Sequence, residues 1–353
     1  MIRTAYIFSA DSEHTTARYF ARAISELGGW RCIYLDKLFD PAILKPNDIL
    51  MYVDPASDWP LGLESVPCIT VAYLIDVHQD ITSRLQIANF FDLVFVAQKE
   101  YVKIFHQDGH SQTFWVPLAC DSDVHNPLVA NKLFDVGFVG NLGQRGTPRW
   151  SVLTEILPHF KTNDYQRYHS PREMGSVYGQ SKIVFNASIN GDVNMRVFEG
   201  MAAGAMLVTD RIKNGLNELF SEGIHYVGYE SIDEAKEKIA YYLSHDSERD
   251  KIAQTGQREV LEHHTYLKRC ETIMLHVDAA NKSAPARKMS RGQLGELYSR
   301  IFVTLRQPTR ICAVCLHYGF SIPIIRQWCT AWARWFNARI PLTPNALRAR
   351  MFR

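Results

Sequence analysis

The stretch of residues 194–210, NMRVFEGMAAGAMLVTD, places charged side chains at the start of a predicted helix. Arg196 stands in the first turn, where the helix dipole disfavours a cation, and Glu199 follows three residues later. An anion at this helix end would be held by Arg196 and by the backbone N–H groups around Asn194 and Met195. Glu199 would lie roughly 7 Å along the axis from Asn194, about the spacing between a diphosphate and its ribose hydroxyls. The stretch therefore predicts a nucleoside diphosphate site with Glu199 on the ribose. A surface Arg–Glu pair is the alternative interpretation.

The elements that position these groups are a helix and a buried strand. Residues 194–203 carry apolar side chains near helical spacing, and Gly204 is expected to end the helix in a left-handed conformation. Residues 205–209 form a continuous apolar run, which is typical of a parallel strand buried on both faces, and Asp210 lies at its carboxyl end. Ligands of such sheets bind at the carboxyl ends of the strands.

A second cluster of interest is the glycine-rich turn GNLGQRG at residues 140–146, which follows a predicted strand at 135–139. Glycine allows a close backbone approach at Gly140 and Asn141, and Arg145 can meet phosphate oxygens with a bidentate fork. Arg149 opens the next predicted helix. The turn favours diphosphate binding; a flexible loop with solvated arginines is the alternative.

The runs GQSKIVFNAS and NMRVFEGMAAGAMLVTD resemble the donor-binding segment of GT-B glycosyltransferases, in particular the CgeB-like (spore-maturation) group and its larger retaining relatives. The resemblance covers residues 135–280 and extends more weakly through the amino-terminal half. Many retaining relatives have an acidic residue eight positions before the helix glutamate, where this chain has Gly191, with Asp192 beside it. This difference from the retaining relatives at Gly191 affects the expected recognition of the transferred sugar and not that of the nucleotide.

The expected fold is α/β of the GT-B type, with two Rossmann-like parallel-sheet domains facing a cleft. Apolar runs that alternate with helical or polar segments in the amino-terminal half independently indicate a parallel sheet. The expected ranges are 1–128 for an acceptor domain, 129–280 for a nucleotide-sugar donor domain, and 281–353 for a basic, aromatic helical extension.

Asp76 and His78 follow the predicted strand at residues 68–74 and are candidate catalytic residues. The resemblance implies that a loop at this place faces the donor sugar and the acceptor, and that a histidine here lies near the reaction centre. A surface loop histidine is the alternative. Arg145 is added to the catalytic candidates because a cation can neutralise the leaving diphosphate.

The resemblance implies transfer of a sugar from a UDP- or GDP-linked donor to a hydroxyl of a glycan, lipid-linked or protein acceptor, by a retaining, metal-independent route. No cofactor beyond the nucleotide sugar, no metal and no nucleic-acid partner is expected. The triplet Asp121-Ser122-Asp123 matches a metal-binding pattern, but the prolines around it favour an interdomain boundary. A non-catalytic sugar-nucleotide or glycan-binding protein and a sugar-nucleotide epimerase are the alternatives.

Charge is distributed unevenly along the 353 residues. Residues 281–353 hold 13 Lys and Arg against Glu296 alone, whereas the other 26 basic and 36 acidic residues leave the remainder at −10. Two apolar aromatic segments at helical spacing lie in this tail, and residues 283–353 are predicted to dock on an anionic cytoplasmic membrane surface. Packing of Trp328, Trp332 and Trp335 on the domains or on a second subunit of a homo-oligomer is the alternative. A cytoplasmic location with reduced cysteines is expected.

Overall fold

The computed structural model describes residues 2–280, except positions 11, 14, 36 and 128–130, and residues 289–339, the last of these without its side chain. The chain forms two compact units. The first unit comprises Met1–Val96, Tyr101–Phe114 and Met274–Arg353, and the second comprises Ala97–Glu100 and Trp115–Ile273. This division differs from the predicted ranges, because the described part of the extension belongs to the first unit.

The first unit is built on a six-stranded sheet in the order β2-β1-β3-β4-β5-β6. The pairs β1–β2, β1–β3, β3–β4 and β4–β5 are all parallel. Every residue of β3, β4 and β5 is buried, as the continuous apolar runs in the sequence predict. The strands are β1 (Arg3–Phe8), β2 (Trp30–Leu35), β3 (Ile49–Val53), β4 (Ile69–Leu74), β5 (Leu93–Val96) and β6 (Thr113–Trp115), and the accompanying helices are α1 (Thr16–Glu26), α2 (Ile81–Ala88) and α3 (Val102–Gln107).

The second unit has a four-stranded parallel sheet in the order β10-β9-β8-β7. Its strands are β7 (Phe134–Gly137), β8 (Ser181–Asn186), β9 (Met206–Asp210) and β10 (Tyr226–Tyr229). The helices that follow β6 along the chain are α4 (Ser122–His125), α5 (Pro148–Ile156), α6 (Pro171–Gly179), α7 (Met195–Ala202), α8 (Leu216–Leu219), α9 (Ile232–Ser244), α10 (Asp246–His263) and α11 (Tyr266–Ala279).

The stretch of residues 194–210 forms the helix α7 and the strand β9. Gly204 has a φ of 73°, so it supplies the predicted left-handed residue after the helix. Gly200 packs directly on β8, since a Cβ at this position would lie 2.7 Å from Val184 Cγ1. The close packing holds the amino end of α7 at the carboxyl edge of the second sheet, where the sequence predicts a ligand.

A single helix over residues 252–277 is expected from the sequence, and the structure corrects this. The chain leaves helical geometry at His264, with φ −127° and ψ 39°, between α10 and α11. The His264 carbonyl accepts a hydrogen bond from Cys120 N instead of continuing a helix. A long-range contact therefore decides the break, and apolar periodicity does not detect it.

Three helices make up the described part of the extension: α12 (Arg291–Thr304), α13 (Pro308–Tyr318) and α14 (Ile322–Arg339). The apolar face of α12 lies in the core of the first unit, together with residues of β3, β4 and β5. Tyr298 O–H donates to Glu64 at 2.7 Å and accepts from Leu63 N at 2.9 Å. This face of α12, which the sequence reading assigned to a membrane surface, is therefore not available to lipid.

Candidate functional site

The amino end of α7, which Asn194 precedes, has no side-chain cap. Instead Asn194 Nδ2 donates to Asn186 Oδ1 at 3.1 Å, and Asn194 Oδ1 is buried with no hydrogen-bond partner among the described residues. The backbone N–H groups of a first helical turn lack intrahelical partners, so this end can hold an anion.

Arg196 is built into the domain. Its Nη2 donates to the Val139 carbonyl at 2.7 Å, its Nη1 to Asn186 Oδ1 at 2.8 Å and its Nε to Tyr178 Oη at 3.2 Å. The guanidinium also lies 4.3 Å from the centre of the Phe138 ring. With 8% exposure it is not part of a surface Arg–Glu pair, so that alternative is wrong. Arg196 ties the loop after β7 to the start of α7, and its direct contact with a diphosphate stays a prediction.

Gly140 is needed for a reason that the sequence did not reveal. Its φ is 134°, and a Cβ at this position would lie 2.5 Å from Arg196 Nη2. The room that glycine leaves is therefore occupied by the protein's own arginine. The turn still lies beside the uncapped end of α7, because Arg196 bonds the preceding residue, Val139.

The other two arginines of the predicted site, Arg145 and Arg149, differ in how strongly they are held by hydrogen bonds. Arg149 Nε and Nη2 donate to the Asn141 carbonyl at 3.1 and 3.0 Å, and Nη1 donates to the Ala187 carbonyl. Burial, aided by neighbouring Arg196, lowers the pKa of Arg149 to about 10. Arg145 is exposed, with its guanidinium carbon 5.9 Å from the centre of the Trp150 ring. Arg149 therefore shapes the loop, and Arg145 is the cation that a ligand can reach.

Glu199 is enclosed. It is 4% exposed, and its Oε1 lies 3.6 Å from His125 Nε2. Burial raises the pKa of Glu199 to about 7, against the opposing charge of Arg196. His125 Nδ1 accepts a hydrogen bond from Asp121 N at 2.9 Å, so a neutral imidazole carries its proton on Nε2, the atom that faces Glu199.

Sequence reasoning did not identify His125 as a neighbour of the ribose candidate. Its segment, DSDVHNP, was interpreted only as a domain boundary, and nothing in its spacing points to α7. Asp121 caps α4, accepting from Asp123 N at 3.0 Å and Val124 N at 3.3 Å, which orients the helix that carries His125. Contact between His125 and Glu199 arises only from the packing of α4 on α7.

In the first unit, Asp76 and His78 lie just after β4, as predicted. Asp76 has a φ of 49°, a left-handed conformation that is uncommon outside glycine. Both ring nitrogens of His78 are buried and have no hydrogen-bond partner among the described residues. An imidazole in this condition is available to a ligand hydroxyl, so His78 remains a candidate.

A second polar group at the same edge was missed by the sequence reasoning. Asp54, which follows β3 directly, accepts from Arg84 Nη2 at 2.7 Å, Arg84 Nε at 3.0 Å and Tyr52 O–H at 2.8 Å. Burial raises the pKa of Asp54; Arg84 opposes this rise, and nearby Asp76 adds to it. The signal that selected Asp76, an acid directly after a buried apolar run, also applies to Asp54.

The two parallel-sheet units define the fold class: this is the fold of the GT-B glycosyltransferases. Residues 124–275, nearly all of the second unit, match the sequence model of the family described as glycosyl transferase-like. No curated protein matches the chain. The family match is confined to residues 124–275, and the two-sheet fold is the one found in solved GT-B glycosyltransferases.

Solved structures with this fold are distant in sequence. Anabaena HepE in complex with UDP is 11% identical, with a TM-score of 0.57, and the match covers 79% of this chain and 100% of HepE. A glycosyltransferase from Rickettsia africae is 11% identical, with a TM-score of 0.54 and coverage of 80% and 100%. Sucrose-phosphate synthase from Thermosynechococcus elongatus is 9% identical, with a TM-score of 0.53 and coverage of 79% and 99%.

Proposed function

We propose that this protein transfers a sugar from a UDP- or GDP-linked donor to a hydroxyl of a glycan, lipid-linked or protein acceptor. The observation that carries the proposal is the uncapped amino end of α7 beside the loop that bears Arg145. Backbone N–H groups and an accessible guanidinium are a suitable pair for a diphosphate. HepE, which has the same fold, was crystallised with UDP, and this supports a uridine donor.

The donor would be held as follows. The N–H groups at Met195 and Arg196 and the side chain of Arg145 meet the diphosphate, and ionised Glu199 accepts the ribose hydroxyls. Because Arg145 and the backbone N–H groups can stabilise the charge of the leaving group, the proposed reaction needs no metal. Membership of the CgeB-like group and retention at the transferred carbon are part of the proposal, with the departing phosphate helping to deprotonate the acceptor hydroxyl.

In the first unit, His78 is proposed to meet the acceptor hydroxyl, with Asp76 beside it. The unpartnered ring nitrogens of His78 support this role, since a hydroxyl can both donate to and accept from an imidazole. Asp76 and His78 are two residues apart at the carboxyl end of β4, the edge at which open α/β sheets bind ligands.

Incubation of the purified chain with a panel of nucleotide sugars in the presence of EDTA tests the proposal. Binding by calorimetry together with slow hydrolysis of one donor is expected, and chromatography of the sugar nucleotide would reveal epimerisation instead. Binding without any turnover, with or without candidate acceptors, would favour a non-catalytic binding protein. Failure of every donor to bind would refute the proposal.

We also propose that the outward face of α14 docks on an anionic membrane. This face carries Ile325, Trp328 and Phe336, which are 46, 38 and 55% exposed, and Arg326 is exposed beside it. Trp332 packs at 5.3 Å from Trp335 and continues the aromatic stripe. Tryptophan and arginine together suit the interfacial depth of a bilayer. No helix in the described ranges is long and apolar enough to span a membrane.

Sedimentation with vesicles tests this docking. The chain should pellet with anionic vesicles but not with neutral ones, and less in high salt. Trp328→Glu should abolish pelleting, whereas Leu275→Glu, which changes an exposed apolar residue of α11, should leave it intact. Point substitutions are preferable to truncation, because α12 forms part of the core of the first unit. Equal pelleting of both variants and the unmodified chain would exclude the α14 face.

A further inference from the structure

The first unit contains a cavity of about 100 Å³ that the donor site does not use. It lies between the end of β3, the helix α2 and the helix α12 of the extension. Its walls are largely apolar and include Trp59, Ile87 and Ile301, while Thr304 lies exposed at its border. A mostly apolar cavity with a few polar groups is typical of a small-molecule site.

The polar groups of this cavity are the buried pair Asp54 and Arg84, whose side chains are 3 and 17% exposed. The Asp54 carboxylate uses three of its roughly four lone-pair positions on Arg84 and Tyr52, which leaves one for a ligand. Ser83 Oγ donates a hydrogen bond to Asp80 at 2.6 Å, and its oxygen lone pairs can still accept a hydrogen bond from a ligand.

Trp59 supplies the remaining donor. It is 1% exposed, and its Nε1 is buried with no hydrogen-bond partner among the described residues. A buried indole N–H normally finds a partner, so a missing partner at a residue that lines a cavity indicates a place for a ligand acceptor. Donor and acceptor capacity thus occur together with apolar walls.

We propose that this cavity binds the edge of an uncharged sugar ring belonging to the acceptor, an inference that rests on the proposed glycosyltransferase function. The charges of Asp54 and Arg84 compensate each other, so an anionic ligand would meet an unfavourable carboxylate and a cationic one an unfavourable guanidinium. A pyranose instead offers hydroxyls to the polar groups and C–H groups to the apolar walls. The cavity is larger than the volume that one water molecule occupies in the liquid, about 30 Å³. It can hold the edge of a sugar ring while the rest of the acceptor extends outward.

The location agrees with this assignment. The strand β3, which Asp54 follows directly, pairs in parallel with β4, after which His78 follows. A sugar in the cavity therefore lies at the sheet edge that carries the proposed acceptor histidine. Because α12 forms one wall, the basic extension contributes to acceptor selection as well as to the core.

Indole ¹H–¹⁵N spectra of the full chain test the inference, with the Trp59 signal assigned by Trp59→Phe. The probes are methyl pyranosides of glucose, galactose, mannose and N-acetylglucosamine, with inorganic phosphate and cyclohexanol as contrasting ligands. At least one pyranoside should shift the Trp59 signal, and phosphate and cyclohexanol should not. Thr304→Phe, which fills the border of the cavity from an exposed position, should abolish the shift; Thr82→Phe, an exposed change on α2, should retain it.

Turnover measurements separate this inference from the proposed function. Thr304→Phe should raise the acceptor KM at least tenfold while UDP or GDP affinity and donor hydrolysis stay unchanged. A Trp59 signal that no pyranoside moves, one moved equally by cyclohexanol, or a shift that survives Thr304→Phe would overturn the sugar assignment even if transfer is observed. Absence of donor binding would overturn the proposed function. Sugar binding in the cavity would still be detected in that case, as a shift of the Trp59 signal on addition of a methyl pyranoside.

Discussion

Replacement of Glu199 by Gln should stabilise the protein and weaken its nucleotide affinity. Glutamine mimics the protonated carboxyl in shape and lacks its charge. Burial raises the pKa of Glu199 from its ordinary 4.5 to about 7. The folded protein therefore binds a proton that the unfolded chain has released between these two values, and its stability falls as pH rises through this window.

The size of this effect follows from the two pKa values. A difference of one pKa unit is worth about 1.4 kcal/mol, so full ionisation of Glu199 costs about 3 kcal/mol. The cost is absent below pH 4.5 and complete above pH 7. Glu199→Gln should match the unmodified chain at the acidic end and exceed it by about 3 kcal/mol at pH 8, roughly 6–12 °C in Tm for a unit of this size. His125 and Arg196 face the carboxyl and are unchanged in the variant.

Thermal unfolding from pH 4 to 8 measures the stability difference, and calorimetry with UDP and GDP at pH 8 measures affinity. Loss of a charged acceptor for ribose hydroxyls should cost 10- to 100-fold in Kd, about 1.5–3 kcal/mol. Glu237→Gln, at an exposed position on α9, controls for the loss of one carboxylate from the surface. A stability difference that does not grow with pH would refute the buried-carboxyl reasoning. Unchanged nucleotide affinity would remove Glu199 from the ribose.

Three further substitutions test the remaining site residues. Arg145→Ala should weaken UDP or GDP affinity by about 10- to 100-fold in calorimetry with no change in Tm, and a fall in Tm at normal affinity would make Arg145 structural. Gly140→Ala should lower the free energy of unfolding in denaturant by about 1–3 kcal/mol. The loss should exceed that of Gly146→Ala, because only the methyl group at position 140 would clash with Arg196. Equal losses in the two variants would show that the protein relieves this clash by a small rearrangement. His78→Ala should lose turnover and keep donor binding, and full activity would exclude His78 from catalysis.

Much of the fold is readable from local pattern. The continuous apolar runs at residues 49–53 and 93–96 indicate strands and coincide with β3 and β5, and the sequence Ser170-Pro171-Arg172-Glu173, which has the pattern of a capping box, forms one at the start of α6. Such features depend on neighbours a few residues apart. The short strands β6 (TFW) and β10 (YVGY) were not predicted, because neither is a run rich in aliphatic residues like that of β5.

The position of the candidate residues at the sheet edges was predictable from the sequence, but their contacts were not. Apolar runs that end in polar residues indicate which sheet edge binds ligands, and this rule pointed to Asp76, His78 and the start of α7. It does not say which arginine is accessible. Arg145 and Arg149 look equivalent in sequence, yet Arg149 donates to the backbone carbonyls of Asn141 in the loop and Ala187 after β8, whereas Arg145 is exposed.

The sequence by itself determined the class of fold and the two parallel sheets and indicated the helix end that is proposed to bind a nucleotide, because repeated spacing and glycine positions encode local geometry. Only the tertiary structure decided the state of the charged groups. The pKa of Glu199 depends on burial beside His125, which lies far away in sequence, and Arg196 is engaged because the loop after β7 folds onto it. Burial and long-range hydrogen bonds depend on the whole packing, so the free energy of a charge cannot be read from its neighbours along the chain.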